Sequence, residues 1–377
     1  MPGEENFFFN PVRVYFGAGC RDLLLNEVKQ KKCIVVTSAR GQQVLKLDPL
    51  LKWIFTSPNN YFICDVTANP TINYLSGVIA SLDGKYDAVI AIGGGSVIDV
   101  AKVISSRRGG FSPFIDGMQE TSLGLFALPL YVIPTTAGSG SEVTPYAAIW
   151  DDSQKKKYSL EGPDLFPTAA YVDSELSFNL PQSISISCGL DAINQASESI
   201  WNLNATAYSM DIASRALKLG FDNLPKLIDG VPTLDARDGM SRCSLLSGLA
   251  ISVTKTALCH SISYPLTAHF GVPHGLACAF TMPRILERSM AAEPNRFFYL
   301  SKLLCDGKSS LVLLQKKYED MNNFLNVEKK VMEYVGRIDN ILALKDQMIT
   351  IERASNSLFA VDVCVIESIL VESCKKA

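Results

Sequence analysis

DAVIAIGGGSVIDVAK, residues 87–102, decides the fold. Its unbroken apolar run from Ala88 to Ile92 reads as a strand covered on both faces. The run stops at Gly93, Gly94 and Gly95, after which Ser96 is placed to cap a helix opening at Val97. Three glycines let a ligand approach the backbone without meeting a side chain. The unsatisfied N–H groups and dipole of the helix that follows favour an anionic phosphate. A tight strand-to-helix turn would use the same residues, and the spacing is not the GxGxxG of the ordinary dinucleotide fingerprint.

Working outward, KKCIVVTSAR (31–40), YFICDV (61–66) and LPLYVIPTT (128–136) read as further strands, and TINYLSGVIASL (71–82) as a helix. Continuous Val/Ile strands alternating with helices predict a parallel sheet with helices on both faces. PTTAGSGSEVT (134–144) gathers Thr135, Thr136, Ser139, Ser141 and Thr144 around Gly138 and Gly140, again just after a strand. Open α/β sheets bind ligands at that carboxyl edge, and two glycine-and-hydroxyl loops there suit a nucleotide diphosphate better than turns alone. The strand near 34–38 runs into Ser38, Ala39 and Arg40 with no acidic residue. An acid would hold a 2′-OH, whereas a base accommodates a 2′-phosphate, so this end favours NADP(H) over NAD(H).

Near residue 180 the texture changes to apolar residues spaced three and four apart, with proline becoming rare. The expected organisation is an α/β nucleotide-binding domain with a parallel sheet over 1–180 and an all-helical domain for metal and substrate over 181–377. The 377 residues carry 35 basic and 38 acidic side chains, net charge −3, with no basic block, which argues against a nucleic-acid partner. Hydrophobic residues make up 47%, enough to exclude global disorder. No apolar run reaches the ~18–20 residues of a membrane helix. Glu4 and Glu5 stand where a signal peptide wants positive charge, and ten scattered cysteines without a CxxC suit reduced thiols, so a cytoplasmic protein is expected. Phe7–Phe9, Trp150 and Trp201 read as core or interface aromatics.

The three histidines, His260, His269 and His274, fall within fifteen residues. On the helix GLDAINQASESIWN (189–202), Asp191 and Gln195 are four apart and share a face. His260 reads as mid-helix, and His274 lies in a Pro273-His274-Gly275 turn. Together GGGSVIDVAK, PTTAGSGSEVT, the Asp191 helix and the histidine segment resemble the iron-containing (group III) alcohol dehydrogenases over about residues 10–290. The resemblance implies a dehydroquinate synthase-like architecture, a nicotinamide cofactor held by the loops of Gly93–Ser96 and Asp99, and a divalent metal. Fe²⁺ is the first expectation, with Mn²⁺ or Zn²⁺ as alternatives. Of the family's Asp-His-His-His ligands, Asp191, His260 and His274 match three; Gln195 stands at the fourth, a weaker neutral oxygen donor. A lost, metal-free site is the competing reading. His269 matches no ligand position.

Tyr264 stands where many members have another histidine near substrate and nicotinamide; it relays a proton, orients substrate, or simply packs. KKYSLEGP (156–163) and residues 189–202 and 260–279 further resemble the subgroup that reduces phosphonoacetaldehyde to 2-hydroxyethylphosphonate. A phosphonate needs a cation. Lys157, Lys255 and Arg284 are the candidates, although on a continuous helix Lys255 would stand about 140° from His260. Alternatives are reduction of another short aldehyde, a dehydroquinate synthase-like lyase, and a catalytically silent relative. The family's habit implies a homodimer.

Overall fold

The computed structural model describes residues 8–82, 85–106 and 127–374; Phe7 lies outside them. They form two compact units, Asn10–Asn179 and one holding residues 180–374.

The first unit is built on a six-stranded parallel sheet in the order β1-β8-β5-β4-β2-β3. Its strands are β1 (Arg13–Phe16), β2 (Cys33–Thr37), β3 (Tyr61–Ile63), β4 (Ala88–Gly93), β5 (Leu130–Pro134) and β8 (Ala169–Val172). Between them run helices α1 (Leu24–Val28), α2 (Ala39–Leu45), α3 (Lys52–Thr56), α4 (Ile72–Ala80) and α5 (Gly95–Ser106). Every residue of β2, β4, β5 and β8 is buried, which is why they read as continuous apolar runs. The period of two still decides who packs where. Ile34, Val36, Val89, Ala91 and Val132 face a core shared with Val97, Val100 and Ile104 of α5. Val35, Ala88, Ile90, Ile92 and Ile133 face another, shared with Leu24, Leu51 and Ile54. A separate antiparallel pair, β6 (Tyr146–Asp151) and β7 (Lys156–Glu161), was not evident in the sequence.

The second unit is helical: α6 (Gln182–Ile200), α7 (Ala207–Ile228), α8 (Leu234–Thr254), α9 (Leu258–Phe270) and α10 (His274–Ala292). After them come α11 (Phe298–Leu304), α12 (Leu311–Phe324), α13 (Val327–Val335), α14 (Ile338–Leu342), α15 (Ile351–Ala354) and α16 (Val363–Ser373). Trp201 is buried at the end of α6, against Tyr318 of α12. Among the described residues, no single helix is long and apolar enough to cross a membrane.

Two local expectations change. Helix α5 starts at Gly95, so Ser96 lies inside its first turn; its Oγ accepts from the Asn69 N–H at 3.3 Å and caps nothing. The helix before His260 is not continuous either. It ends at Thr254, Lys255 adopts φ +62°, and α9 begins at Leu258, placing His260 in a first turn rather than mid-helix. The angular argument for Lys255 therefore does not apply.

Candidate functional site

Helix α6 turns one buried polar stripe toward α9 and α10. Asp191, Gln195 and Glu198 are spaced by four and three residues, within about 60° of one another around the axis. Glu198 is fully buried, and its two oxygens take three donors at the start of α9. Oε2 accepts from the Ala257 N–H at 2.7 Å and from His260 Nδ1 at 2.6 Å; Oε1 accepts from the His260 N–H at 3.2 Å. Burial alone would push this carboxyl up, but His260 and the two backbone donors hold it below the ordinary carboxylate range. One ionised side chain thus caps α9 and fixes the imidazole with its proton on Nδ1, leaving the Nε2 lone pair available.

That lone pair faces Asp191 Oδ1 at 3.4 Å, and His274 Nε2 lies 3.8 Å from the same oxygen. Cys278, one turn beyond His274 on α10, brings its Sγ to 3.8 Å from His274 Nε2. The donor atoms of Asp191, His260, His274 and Cys278 all lie within 4.8 Å of one another. Acceptor atoms at such distances repel unless a proton or cation sits among them. Ligands about 2.0–2.1 Å from a tetrahedral ion would be about 3.3–3.4 Å apart, so the Asp and His donors fit a divalent metal with little adjustment. Burial pushes the Cys278 thiol up, but His260 and His274 beside it bring it down to about 6.

Gly275 makes the approach of α10 to α6 possible. A Cβ there would lie 1.8 Å from the Ser187 carbonyl oxygen and 2.9 Å from the Asp191 nitrogen. Only glycine lets the first turn of α10 seat His274 against Asp191. Gln195 is buried on the same stripe, and its Oε1 accepts from Ser247 Oγ at 3.2 Å.

Tyr264 follows His260 by one turn. Its ring stacks on His274, with centroids 6.1 Å apart and planes at 13°. Its Oη accepts from Arg353 Nε at 2.9 Å, and the guanidinium lies 6.0 Å from its ring centre. Sequence reasoning missed Arg353, Glu198 and Cys278. The signal for Glu198 was available: it is one of two charged residues on α6, the other being Asp191, and lies one turn beyond Gln195.

The cationic candidates have these surroundings. Lys255 terminates α8, and its carbonyl accepts from Thr254 Oγ1 and Asn202 Nδ2. Arg284 pairs with Glu287 at 3.1 Å and Glu319 at 3.2 Å, so its charge is already answered. Lys157 lies on β7 of the first unit, where its charge acts on Asp99. His269 is exposed and pairs with Gln347.

In the first unit, the two glycine loops meet at the carboxyl ends of neighbouring strands, with Gly93 paired to Pro134. The Thr135 N–H donates to the Gly93 carbonyl at 3.0 Å. A Cβ on Gly95 would lie 2.7 Å from Ser139 Oγ, so the loops can touch only because residue 95 has none. Helix α5 staples the second loop. Asp99 accepts from Ser141 Oγ at 2.7 Å and from the Ala148 N–H at 3.1 Å, and buried Lys102 donates to the carbonyls of Thr144 and Tyr146, each at 2.7 Å. Thr136 stands over Gly94, and Ser38 Oγ accepts from the Gly41 N–H, leaving Arg40 exposed at the end of β2. The edge can present backbone donors to a diphosphate.

Residues 11–174 match the family profile described as iron-containing alcohol dehydrogenase, and residues 185–359 match the C-terminal profile of the Fe-containing alcohol dehydrogenase family. The chain is 35% identical to phosphonoacetaldehyde reductase of Streptomyces viridochromogenes, over 55% of this chain and 54% of that one. It is 31% identical to 1-propanol dehydrogenase PduQ of Citrobacter freundii, over 73% and 71%. It is 29% identical to NAD-dependent methanol dehydrogenase of Bacillus methanolicus, over 81% of each. The match to the reductase thus spans only about half of that relative's length. Among solved structures, sulfoacetaldehyde reductase of Bifidobacterium kashiwanohense in complex with NAD+ covers 100% of both chains at 23% identity, TM-score 0.87. An iron-containing alcohol dehydrogenase of Thermotoga maritima covers 98% of this chain and 99% of its own at 24% identity, TM-score 0.81. At these identities the two structures speak to the fold.

Proposed function

The chain belongs to the iron-containing alcohol dehydrogenase family, and from that premise we propose that it is a metal-dependent, NAD(P)H-linked aldehyde reductase whose substrate is phosphonoacetaldehyde, reduced to 2-hydroxyethylphosphonate. The observation that carries this reading is the convergence of Asp191, His260 and His274 on one point, with Glu198 fixing the tautomer. When bound, the divalent ion supplies Lewis-acid polarisation of the aldehyde oxygen and the reduced nicotinamide supplies the hydride. The protein's residues do the rest. Asp191, His260 and His274 hold the ion, with Gln195 on the same stripe. Tyr264 is the proton donor to the product oxygen, and Arg353 behind it keeps the hydroxyl oriented through its Nε–H. The same guanidinium is the charge that answers a phosphonate, in place of Lys157, Lys255 or Arg284.

The loops of Gly93–Ser96 and of Thr135, Thr136, Ser139 and Ser141 take the cofactor diphosphate, and Asp99 holds the second loop in place. Arg40, exposed and without an acidic neighbour at the end of β2, supports NADPH over NADH. Ten cysteines outside any disulfide support a reducing, cytoplasmic setting. The half-exposed edge strand β1 and Phe9, 62% exposed, support a homodimer. A second reading, reduction of an uncharged short aldehyde, is favoured by the wider coverage of the propanol and methanol dehydrogenases.

The test is a panel of aldehydes offered with NADPH or NADH and Fe²⁺, Mn²⁺ or Zn²⁺. Phosphonoacetaldehyde with NADPH is expected to give the highest kcat/KM. Equal or better turnover of propanal removes the phosphonate assignment, and absence of any NAD(P)H consumption returns the lyase or the silent relative.

A further inference from the structure

Helix α10 delivers two soft-metal donors from one face, His274 and Cys278, four residues apart. Cys278 is fully buried and unpaired in any disulfide. Its Sγ lies 3.8 Å from His274 Nε2 and 3.9 Å from Nδ1, and within 4.8 Å of the donor atoms of His260 and Asp191. Around a tetrahedral ion with N at about 2.0–2.1 Å and S at about 2.3 Å, N and S are about 3.5–3.6 Å apart, a few tenths of an ångström from what the fold provides. Gln195 has its carboxamide oxygen engaged by Ser247.

We propose that Cys278 Sγ is a protein ligand of the metal, so that the ion is held by Asp191, His260, His274 and Cys278. The inference rests on the metal-dependent reading above and deepens it. A carboxylate and a thiolate balance the charge of a divalent ion, which Gln195 in the thiolate's place would not do. A thiolate also changes which ion is preferred. Sulfur donors select zinc or cobalt over Mn²⁺, while oxygen sets favour the harder ion. The Asp/His/His/Cys set therefore predicts a larger preference for Zn²⁺ over Mn²⁺ in wild type than in Cys278→Ser.

The experiment loads the full chain with one equivalent of Co²⁺ or Zn²⁺ and examines the metal itself. Wild-type protein is expected to show a near-ultraviolet thiolate-to-cobalt charge-transfer band. X-ray absorption of the zinc form is expected to show a sulfur scatterer at about 2.3 Å. Cys278→Ser should lose both while retaining bound metal, with affinity falling by more than the roughly 10- to 100-fold that loss of an outer partner costs. Gln195→Ala should keep both. Bound metal in wild type with only nitrogen and oxygen scatterers overturns the thiolate ligand and leaves the reductase reading standing. Failure of wild type to bind metal overturns both. Should Cys278→Ser not fold, the zinc–sulfur scatterer in wild type decides alone.

Discussion

Gly275→Ala sets two effects of opposite sign against each other. In an exposed helix, alanine in place of glycine stabilises by about 0.5–1 kcal/mol. Here the added Cβ would lie 1.8 Å from the Ser187 carbonyl oxygen, and that contact must open to at least 3.0 Å. The atom met is backbone in the middle of α6, so no rotamer change relieves it. The start of α10 must move away by about 1.2 Å, carrying His274 with it. Metal–ligand distances tolerate about 0.2 Å, so the displacement is several times what coordination allows. Overpacking of this kind costs about 1–3 kcal/mol, which outweighs the helix-propensity gain but leaves a folded protein. The variant is expected to keep its circular dichroism spectrum, to melt a few degrees lower, and to lose more than tenfold in both metal content and kcat/KM. Metal stoichiometry by mass spectrometry, read beside a thermal melt, is the assay. A variant that binds metal as wild type does, with unchanged turnover, would refute the claim that α6 and α10 assemble the centre through this contact.

Other outcomes follow from the same geometry. Glu198→Gln keeps the shape but loses the ionised partner of His260, so metal affinity should fall roughly 10- to 100-fold; unchanged affinity would mean that the tautomer is fixed some other way. Arg353→Ala should lower kcat for phosphonoacetaldehyde and propanal alike through Tyr264, and in addition raise KM for phosphonoacetaldehyde alone by roughly 10- to 100-fold, the worth of a charged hydrogen bond at about 1.5–3 kcal/mol. Equal loss on both aldehydes would assign Arg353 to Tyr264 alone. Glu142 is buried, and burial pushes its carboxyl from 4.5 up to about 7. The folded chain therefore binds the extra proton between those values, and its stability falls as pH rises from about 4.5 through 7, by on the order of 3 kcal/mol. Denaturant midpoints of Glu142→Gln should lose that slope; an unchanged slope would mean that the Glu142 carboxyl is not the source.

The sheet was legible where strands are buried on both faces, because β2, β4 and β5 carry no charged residue and read as continuous apolar runs. Strand β1 was not, since RVYF is half exposed and only four residues long. Asp191, His260 and His274 were legible through resemblance, and one helical face joined Gln195 to Asp191. The break at Lys255 was hidden because Thr254-Lys255-Thr256-Ala257 holds neither glycine nor proline. What ends the helix there is nonlocal: Glu198, 59 residues earlier, takes the Ala257 N–H. Cys278 was one thiol among ten, and Arg353 lies 89 residues from the tyrosine it serves. Cys278 does stand four residues after His274, a helical spacing the sequence offered, whereas Arg353 carries none that sequence alone could read.

The central claim is that a metal held by the helical unit is required for aldehyde reduction. The most direct measurement is the initial rate of phosphonoacetaldehyde-dependent NADPH oxidation by chelator-stripped protein, before and after one equivalent of Zn²⁺ or Fe²⁺ is returned. The account predicts near-zero rate in the stripped protein and recovery at one ion per chain. A stripped protein that turns over at the full rate would contradict it.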